Sequence, residues 1–388
     1  MKTTITLYGT TIVFFAVACS SCQQQNDNLP SLDLSKNYPE KEVLLTDIAD
    51  VTYLHINAND EEYLYSGSIV SVTEHTILIA DNKSGDFLFF SRDGSQKSHF
   101  NRKGRGPEEY ISTRRVFYDE EMDNVYVVDD YRKGRIQVYS SAGKHKHEIN
   151  LPQGTWVNND IVSFDDHSLF FYDASIEYKK AMENDFSSEV DVTSFYLISK
   201  ENGAVLDYLE LPIVPIFIGT NRNGIRVPAM KVRLLQSKKG ILLCNPESDT
   251  VFLYGKDRSL SPILYKTPLI GSTSPLTYMN NCIDTEFYQF IDICTVVPGI
   301  PDIKHYLRDK QTGEIFRQRL LLKEYEGKEF IISPTCFLVL YRDGCFFELG
   351  LIELKQAYRE NKLSGKLKEL VATLKEDDNS IYVMAQFK

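Results

Sequence analysis

The sequence lacks the motifs of hydrolytic and nucleotide chemistry. It has no H-E-x-x-H, no G-x-S-x-G, no Walker loop and no spaced cysteine quartet. The usual sequence grounds for a zinc hydrolase, a serine hydrolase or a P-loop enzyme are therefore missing. Basic charge is also short, with 43 Lys and Arg against 54 Asp and Glu and a formal net charge of −11. That balance argues against wrapping nucleic acid, which needs clustered Lys and Arg to replace counterions. Cysteine is sparse, at seven in 388 residues. Cys244, Cys282, Cys294, Cys336 and Cys345 do not have the spacing of a disulfide scaffold. A turn at Arg342-Asp343 or at Asp343-Gly344 sets Cys345 opposite Leu340 or Arg342 rather than Cys336, so free and mostly buried thiols are expected. Helical periodicity is nearly missing too. It is confined to Leu349 to Leu374, where Gly350 and Ser364-Gly365 interrupt the leucine spacing and predict two short helices.

What is present begins with an address. Met1-Lys2 precedes the apolar run Ile12 to Ala18, and Cys19-Ser-Ser-Cys22 follows. A positive start, a short apolar core and small residues before a cysteine describe a secretory signal. The run falls short of the ~20 residues that span a bilayer. A cysteine at the cleavage point makes the segment resemble a bacterial lipoprotein signal, with residues 1–18 removed. Cys19, after Ala16-Val17-Ala18, is the better lipid site, and Cys22 is the alternative. The segment 19–40 is expected to be a lipidated end and flexible tether, and 41–388 the folded domain. The chain is expected to be exported and membrane-anchored in a Gram-negative envelope, periplasmic or at the cell surface, and monomeric.

The domain carries a repeat. Ile77 to Asp81 is followed by a polar turn, Phe87 to Phe90 and Ser91-Arg-Asp-Gly94. Val125 to Asp129, a turn, Ile136 to Tyr139 and Ser140-Ser-Ala-Gly143 copy it. Leu169 to Asp173 starts a third copy, split by an insertion at 174–192 before Phe195 to Ile198. Weaker copies start at Ile241 to Asn245 and at His305 to Asp309, and Cys336 to Glu348 supplies a further hairpin. Short strands rich in β-branched and aromatic residues, in units of 40 to 50 residues, point to propeller blades. One small sheet cannot hide both its faces, but sheets stacked around an axis can. With 23 Tyr and 22 Phe, the chain has the broad side chains such contacts use. The expected fold is all-β, a six-bladed β-propeller with a short helical insertion on its rim near the C-terminus. Val51 to Ile56 and Ser380 to Gln386 are expected to close the ring within one shared blade, which removes an exposed edge.

Asn101 to Tyr110 resembles the G-x-G-P-x-E-Y signature of the six-bladed β-propeller lipoproteins of Bacteroides-type bacteria, at Gly104, Gly106, Pro107, Glu109 and Tyr110. The strand–Asp–turn–strand–Gly units are similar to NHL-type repeats. The resemblance spans most of 41–388 and implies the fold rather than an activity. Physically, Gly104 and Gly106 permit positive φ, Pro107 fixes a bend, and Glu109 and Tyr110 anchor the crossing between blades. The competing reading makes Arg102, Lys103 and Arg105 an anion site.

The aspartates ending the first strand of each copy are the candidate binding face: Asp81, Asp129, Asp173, Asn245 and Asp309, with Asp130, Tyr131 and Arg132 beside them. They read either as caps of their own turns or as acceptors around a central funnel. His145 and His147 alternate in a strand and would face one side, yet Lys146 and the lack of a third ligand favour a solvated strand. No metal and no cofactor are predicted. The chain is read as an envelope binding module for a glycan, a peptide or a partner protein, without nucleic acid and without established catalysis. The alternative is a glycan-active hydrolase or lyase using acids in the axial funnel.

Overall fold

The computed structural model describes residues 29–56, 67–112, 115–128, 134–154, 161–173, 175, 191–213, 217–220, 226–228, 233–297, 302–333, 339–341, 344–376 and 378–388. The signal segment, both candidate lipid cysteines, Cys336, Asp129, Asp130, Tyr131, Arg132 and all of the 174–192 insertion but residues 175, 191 and 192 lie outside the described residues.

The apolar–polar alternation of the chain becomes a series of antiparallel meanders. The first sheet is Ser68–Val72, Thr76–Ala80, Asp86–Ser91 and Gln96–Asn101. The second is Arg115–Asp119, Asn124–Val128, Arg135–Tyr139 and His145–Asn150. The third is Ile161–Ser163, Ser168–Asp173, Asp191–Ser199 and Val205–Ile213. Arg233–Ser237, Gly240–Cys244, Thr250–Gly255 and Leu260–Thr267 form the fourth, and Thr277–Asp284, Tyr288–Thr295, Asp302–Asp309 and Ile315–Leu321 the fifth. The last combines Val339–Tyr341, Gly344–Leu349 and Ile381–Phe387 with Ala49–His55. A two-stranded hairpin, Phe217–Thr220 with Arg226–Pro228, stands apart.

Because successive side chains point to opposite faces of a strand, each sheet feeds two cores. Ile77 and Ile79 pack with Phe346 and Tyr382 of the last sheet, while Leu78 and Phe89 pack with Val125 and Tyr139 of the second. Tyr126 and Val138 meet Leu169 and Phe171; Phe170 and Phe195 meet Ile241 and Tyr254. Cys244 and Val251 meet Cys282 and Ile291, and Phe290 and Leu307 join Phe347 and Val383. The stack therefore runs from sheet to sheet and returns to its start, which makes the fold an all-β propeller. Closure occurs in the last sheet, where Ala49–His55 pairs antiparallel with Ile381–Phe387 from His55 opposite Ile381 to Ala49 opposite Phe387.

The helical stretch is two helices, Leu351–Arg359 and Gly365–Thr373. They bury Leu354, Ala357, Leu367 and Val371 against Leu320, Leu322 and Tyr325 at the outer part of the fifth sheet, as expected of a rim insertion. Among the described residues no helix is long and apolar enough to cross a membrane. Among the described residues, Cys244, Cys282, Cys294 and Cys345 are buried and form no disulfide, and Cys345 stands opposite Leu340.

The segment expected to be tether up to residue 40 is partly strand. Ser31–Asp33 adds to the fourth sheet alongside Leu260–Thr267, and Glu40–Leu44 adds to the fifth alongside Ile315–Leu321, both in parallel. Leu32 is fully buried in the core between those sheets. Apolar residues at alternate positions were available there, but their partners lie more than two hundred residues away in sequence.

Candidate functional site

Turns alternate between the two ends of a meander. The turns after the first and third strands of every sheet lie at one end. The turns after the second strands and the links between sheets lie at the other. This parity decides where each candidate side chain goes.

Asp81, Asp173 and Asn245 end second strands and share the linker end, but all three are buried. Each is occupied by its own turn. Asp81 Oδ1 accepts the N–H groups of Lys83 (2.8 Å) and Ser84 (3.2 Å). Asp173 accepts from the N–H and hydroxyl of Ser175 at 3.0 and 2.9 Å. Asn245 Oδ1 accepts the N–H of Glu247 at 2.9 Å. They act as caps, the first of the two readings. Asp309 does not belong with them. It ends the third strand of the fifth sheet, and its carboxylate accepts from Gln311 (2.8 Å) and Thr312 (3.0 Å) in the next turn. Its counterparts are Ser91, Ser140 and Ser199, at the opposite end of the ring; where the second strand of its sheet stops, Val296 follows. The structure thus separates Asp309 from the other candidates.

The signature loop is structural. Glu109 turns back to accept the Gly106 N–H at 2.6 Å. Its carboxylate covers Gly104 so closely that a Cβ there would meet Oε2 at 1.9 Å. Neither Gly104 nor Gly106 has a positive φ, so the glycines serve close approach rather than the left-handed conformation expected. Tyr110, fully buried, donates its hydroxyl to Gly85 O (2.7 Å) and accepts the Arg102 N–H (2.8 Å). Arg102 Nε donates to Gly143 O and Lys103 Nζ to Lys83 O, so both cations are committed to backbone carbonyls. His145 and His147 do not share a side. A bulge at this point pairs Tyr139 with His145 and Val138 with His147. His145 bonds Gln137 and touches the Tyr139 ring, whereas His147 approaches Lys200 O of the third sheet.

The described cavity lies at the other end. A space of ≈ 660 Å³ opens among the first-to-second-strand turns of four consecutive sheets, at Ser71–Glu74, Phe117–Glu121, Ile161–Asp166 and Gln236–Ser237, together with Lys256. Glu74, Asp119, Glu120 and Glu121 bring carboxylates from the first two sheets, and Asp165 and Asp166 from the third. Lys238 and Lys256 of the fourth sheet are the lining cations. The wall is therefore acidic over three sheets and basic on one.

Several of these charges hold the ring together. Glu120 accepts the Thr76 hydroxyl and the His75 N–H (3.0 Å) of the neighbouring sheet, with Lys97 at 3.9 Å. Burial pushes its pKa up, but those hydrogen bonds and the Lys97 charge outweigh it and hold the carboxyl below the usual range. Asp165 behaves alike: burial raises it, while the Ser168 hydroxyl and the His167 N–H lower it further. Lys200 of the third sheet reaches Asp119 of the second at 2.6 Å, both nearly buried. Tyr118, partly buried beside Asp123, has its hydroxyl pushed up to about 12. Among the described residues no group of three or more His, Cys, Asp or Glu is arranged to hold a metal ion.

None of these turns was singled out from sequence, although a signal exists. Thr73-Glu-His75, Asp119-Glu-Glu121, Asp165-Asp-His167 and Ser237-Lys-Lys239 each stand just before the strongest strand of their copy. Aligning that position, rather than the strand's far end, brings the mouth into view.

The domain of unknown function DUF4934 matches residues 29–386, and the chain belongs to that family. A crystal structure of a Bacteroides fragilis protein, named as an exported one, superposes with a TM-score of 0.61 at 16% identity, covering 92% of this chain and 99% of the other. A DUF4221 member from Bacteroides vulgatus gives a TM-score of 0.48 at 9% identity over 88% of this chain and 97% of its own. No curated protein matches.

Proposed function

We propose that this chain is an exported, lipid-anchored binding module. Its six sheets of four or more strands serve as the blades of a propeller, and its ligand enters the cavity at the first-to-second-strand turns. Six inter-sheet cores, each joining neighbours, support the six-bladed reading. The apolar segment before Cys19 supports export and lipidation there, or at Cys22; the named export of the Bacteroides fragilis neighbour accords with it. A glycan, a peptide or a segment of an envelope protein is the ligand class that fits a polar mouth of this size.

The single observation that carries the reading is the cavity of ≈ 660 Å³ walled by turns from four sheets. Loops on a rigid scaffold are the usual place for recognition. Glu120 and Asp165 are both held below the usual carboxylate range by their hydrogen bonds, which suits fixed negative charges in a recognition wall.

The test is a thermal-shift screen of the full chain in detergent against short glycans and peptides. It is repeated on Gln236→Trp, which plugs the mouth from an exposed position. A true ligand at about 100 times its Kd stabilises the chain by about 2.7 kcal/mol, and the plugged variant should lose that response. Ligands that shift both proteins equally would place binding elsewhere and end this reading.

A further inference from the structure

One position in the repeat departs from its copies at this mouth. The second residue of the third-to-fourth-strand turn donates its N–H to the first-to-second-strand turn of its own sheet: Lys200 to His167 O (2.9 Å), Lys256 to Lys239 O (3.2 Å) and Lys310 to Phe287 O (2.7 Å). The shared bond makes the three lysines structural equivalents. Lys200 spends its ammonium on Asp119 at 2.6 Å, and Lys310 on Asp284 and Thr285 O at 3.0 and 2.6 Å. Arg92, at the corresponding position in the first sheet, donates to Thr73 O at 2.8 Å. Lys256 is exposed and lines the cavity, and among the described residues nothing engages its ammonium. In the lining of the same cavity, Glu121 and Asp166 are exposed carboxylates in the same state, while Glu120 and Asp119 are already committed to neighbouring sheets.

We propose that the mouth recognises a small zwitterion, with Lys256 holding the ligand's carboxylate and Glu121 and Asp166 attracting its ammonium group. This rests on the reading of the cavity as the ligand site and names what it selects. A cleft of fixed charges concentrates the field at its opening. A ligand carrying both signs satisfies both walls, whereas a purely cationic one leaves Lys256 repelling it. Two sources offer such chemistry, a short peptide with free ends and an amino-sugar acid, and the probes separate them.

Isothermal titration of the full chain uses tetra-alanine with free ends, its N-acetyl form, its C-amide form, and muramic acid as the amino-sugar acid. The free peptide or muramic acid should bind at least about tenfold tighter than either blocked peptide, the size of one charged hydrogen bond. Lys256→Met should remove the preference for a free carboxylate, and Lys256→Arg should keep it. The double change Glu121→Gln with Asp166→Asn should remove the preference for a free amine. Unchanged melting temperatures check that each variant is folded. Equal binding of the amide and the free peptide, or indifference to Lys256→Met, overturns the proposal. If neither zwitterion binds but another screened ligand still responds to Gln236→Trp, the zwitterion is refuted and the mouth survives.

Discussion

At the scale of single residues, the turn chemistry was legible and its purpose partly so. Glu109 and Tyr110 were picked out as anchors and Gly104 for an unusual backbone angle; in the structure Glu109 closes over Gly104 and accepts the Gly106 N–H, Tyr110 makes two hydroxyl bonds to the backbone, and Gly104 has no positive φ. Tyr110→Phe keeps the packing against Phe87 and Tyr139 and strands Gly85 O and the Arg102 N–H. The expected cost is about 1–3 kcal/mol, read by urea denaturation. An unchanged midpoint would show that water replaces the hydroxyl. The capping aspartates teach a related lesson. A carboxylate that ends a strand bonds the nearest free N–H groups, and Asp81 and Asp173 found theirs within three residues.

At the scale of elements, strands were easier to find than to count. The stretches read as first strands, at Ile77 to Ala80, Val125 to Val128, Leu169 to Asp173 and Ile241 to Cys244, proved to be second strands. His305 to Asp309 proved to be a third strand, because Tyr288–Thr295 had gone unrecognised before it. A slip of one strand moves the following turn to the opposite end of the ring, which is why Asp309 left the candidate face. The added strands at 31–33 and 40–44 went unseen for a different reason, since the strands they join lie more than two hundred residues further along the chain. Their weight can be measured. Leu32 is fully buried between two sheets, so Leu32→Ala should cost about 2–5 kcal/mol. A melting temperature equal to wild type would mean the strand merely lies on the surface.

At the scale of the whole molecule, the ring is locked by polar joints as well as by apolar cores. Glu120 bridges the first two sheets, and its carboxyl lies below its usual range because the Thr76 and His75 bonds and the Lys97 charge outweigh burial. A depressed carboxylate pKa adds stability that is complete above the unfolded value, about 4.3 for glutamate. That stability is lost as pH falls through the lower folded value. Between about pH 5 and pH 3, wild type should therefore lose more melting temperature than Glu120→Gln. Parallel losses in the two proteins would remove Glu120 from the joint.

By itself, the sequence determined the all-β class, the propeller, the ring closed by Ala49–His55 and Ile381–Phe387, and the rim helices. Alternation and turn residues are local quantities written within a few neighbouring residues, and the repeat emerges from comparing such stretches along the chain. Only the tertiary structure decided which end of the ring opens into a cavity, which charges are spent between sheets, and which, like Lys256, remain exposed. Those outcomes depend on strand parity summed around the ring and on side chains meeting across sheets, and no single repeat contains either.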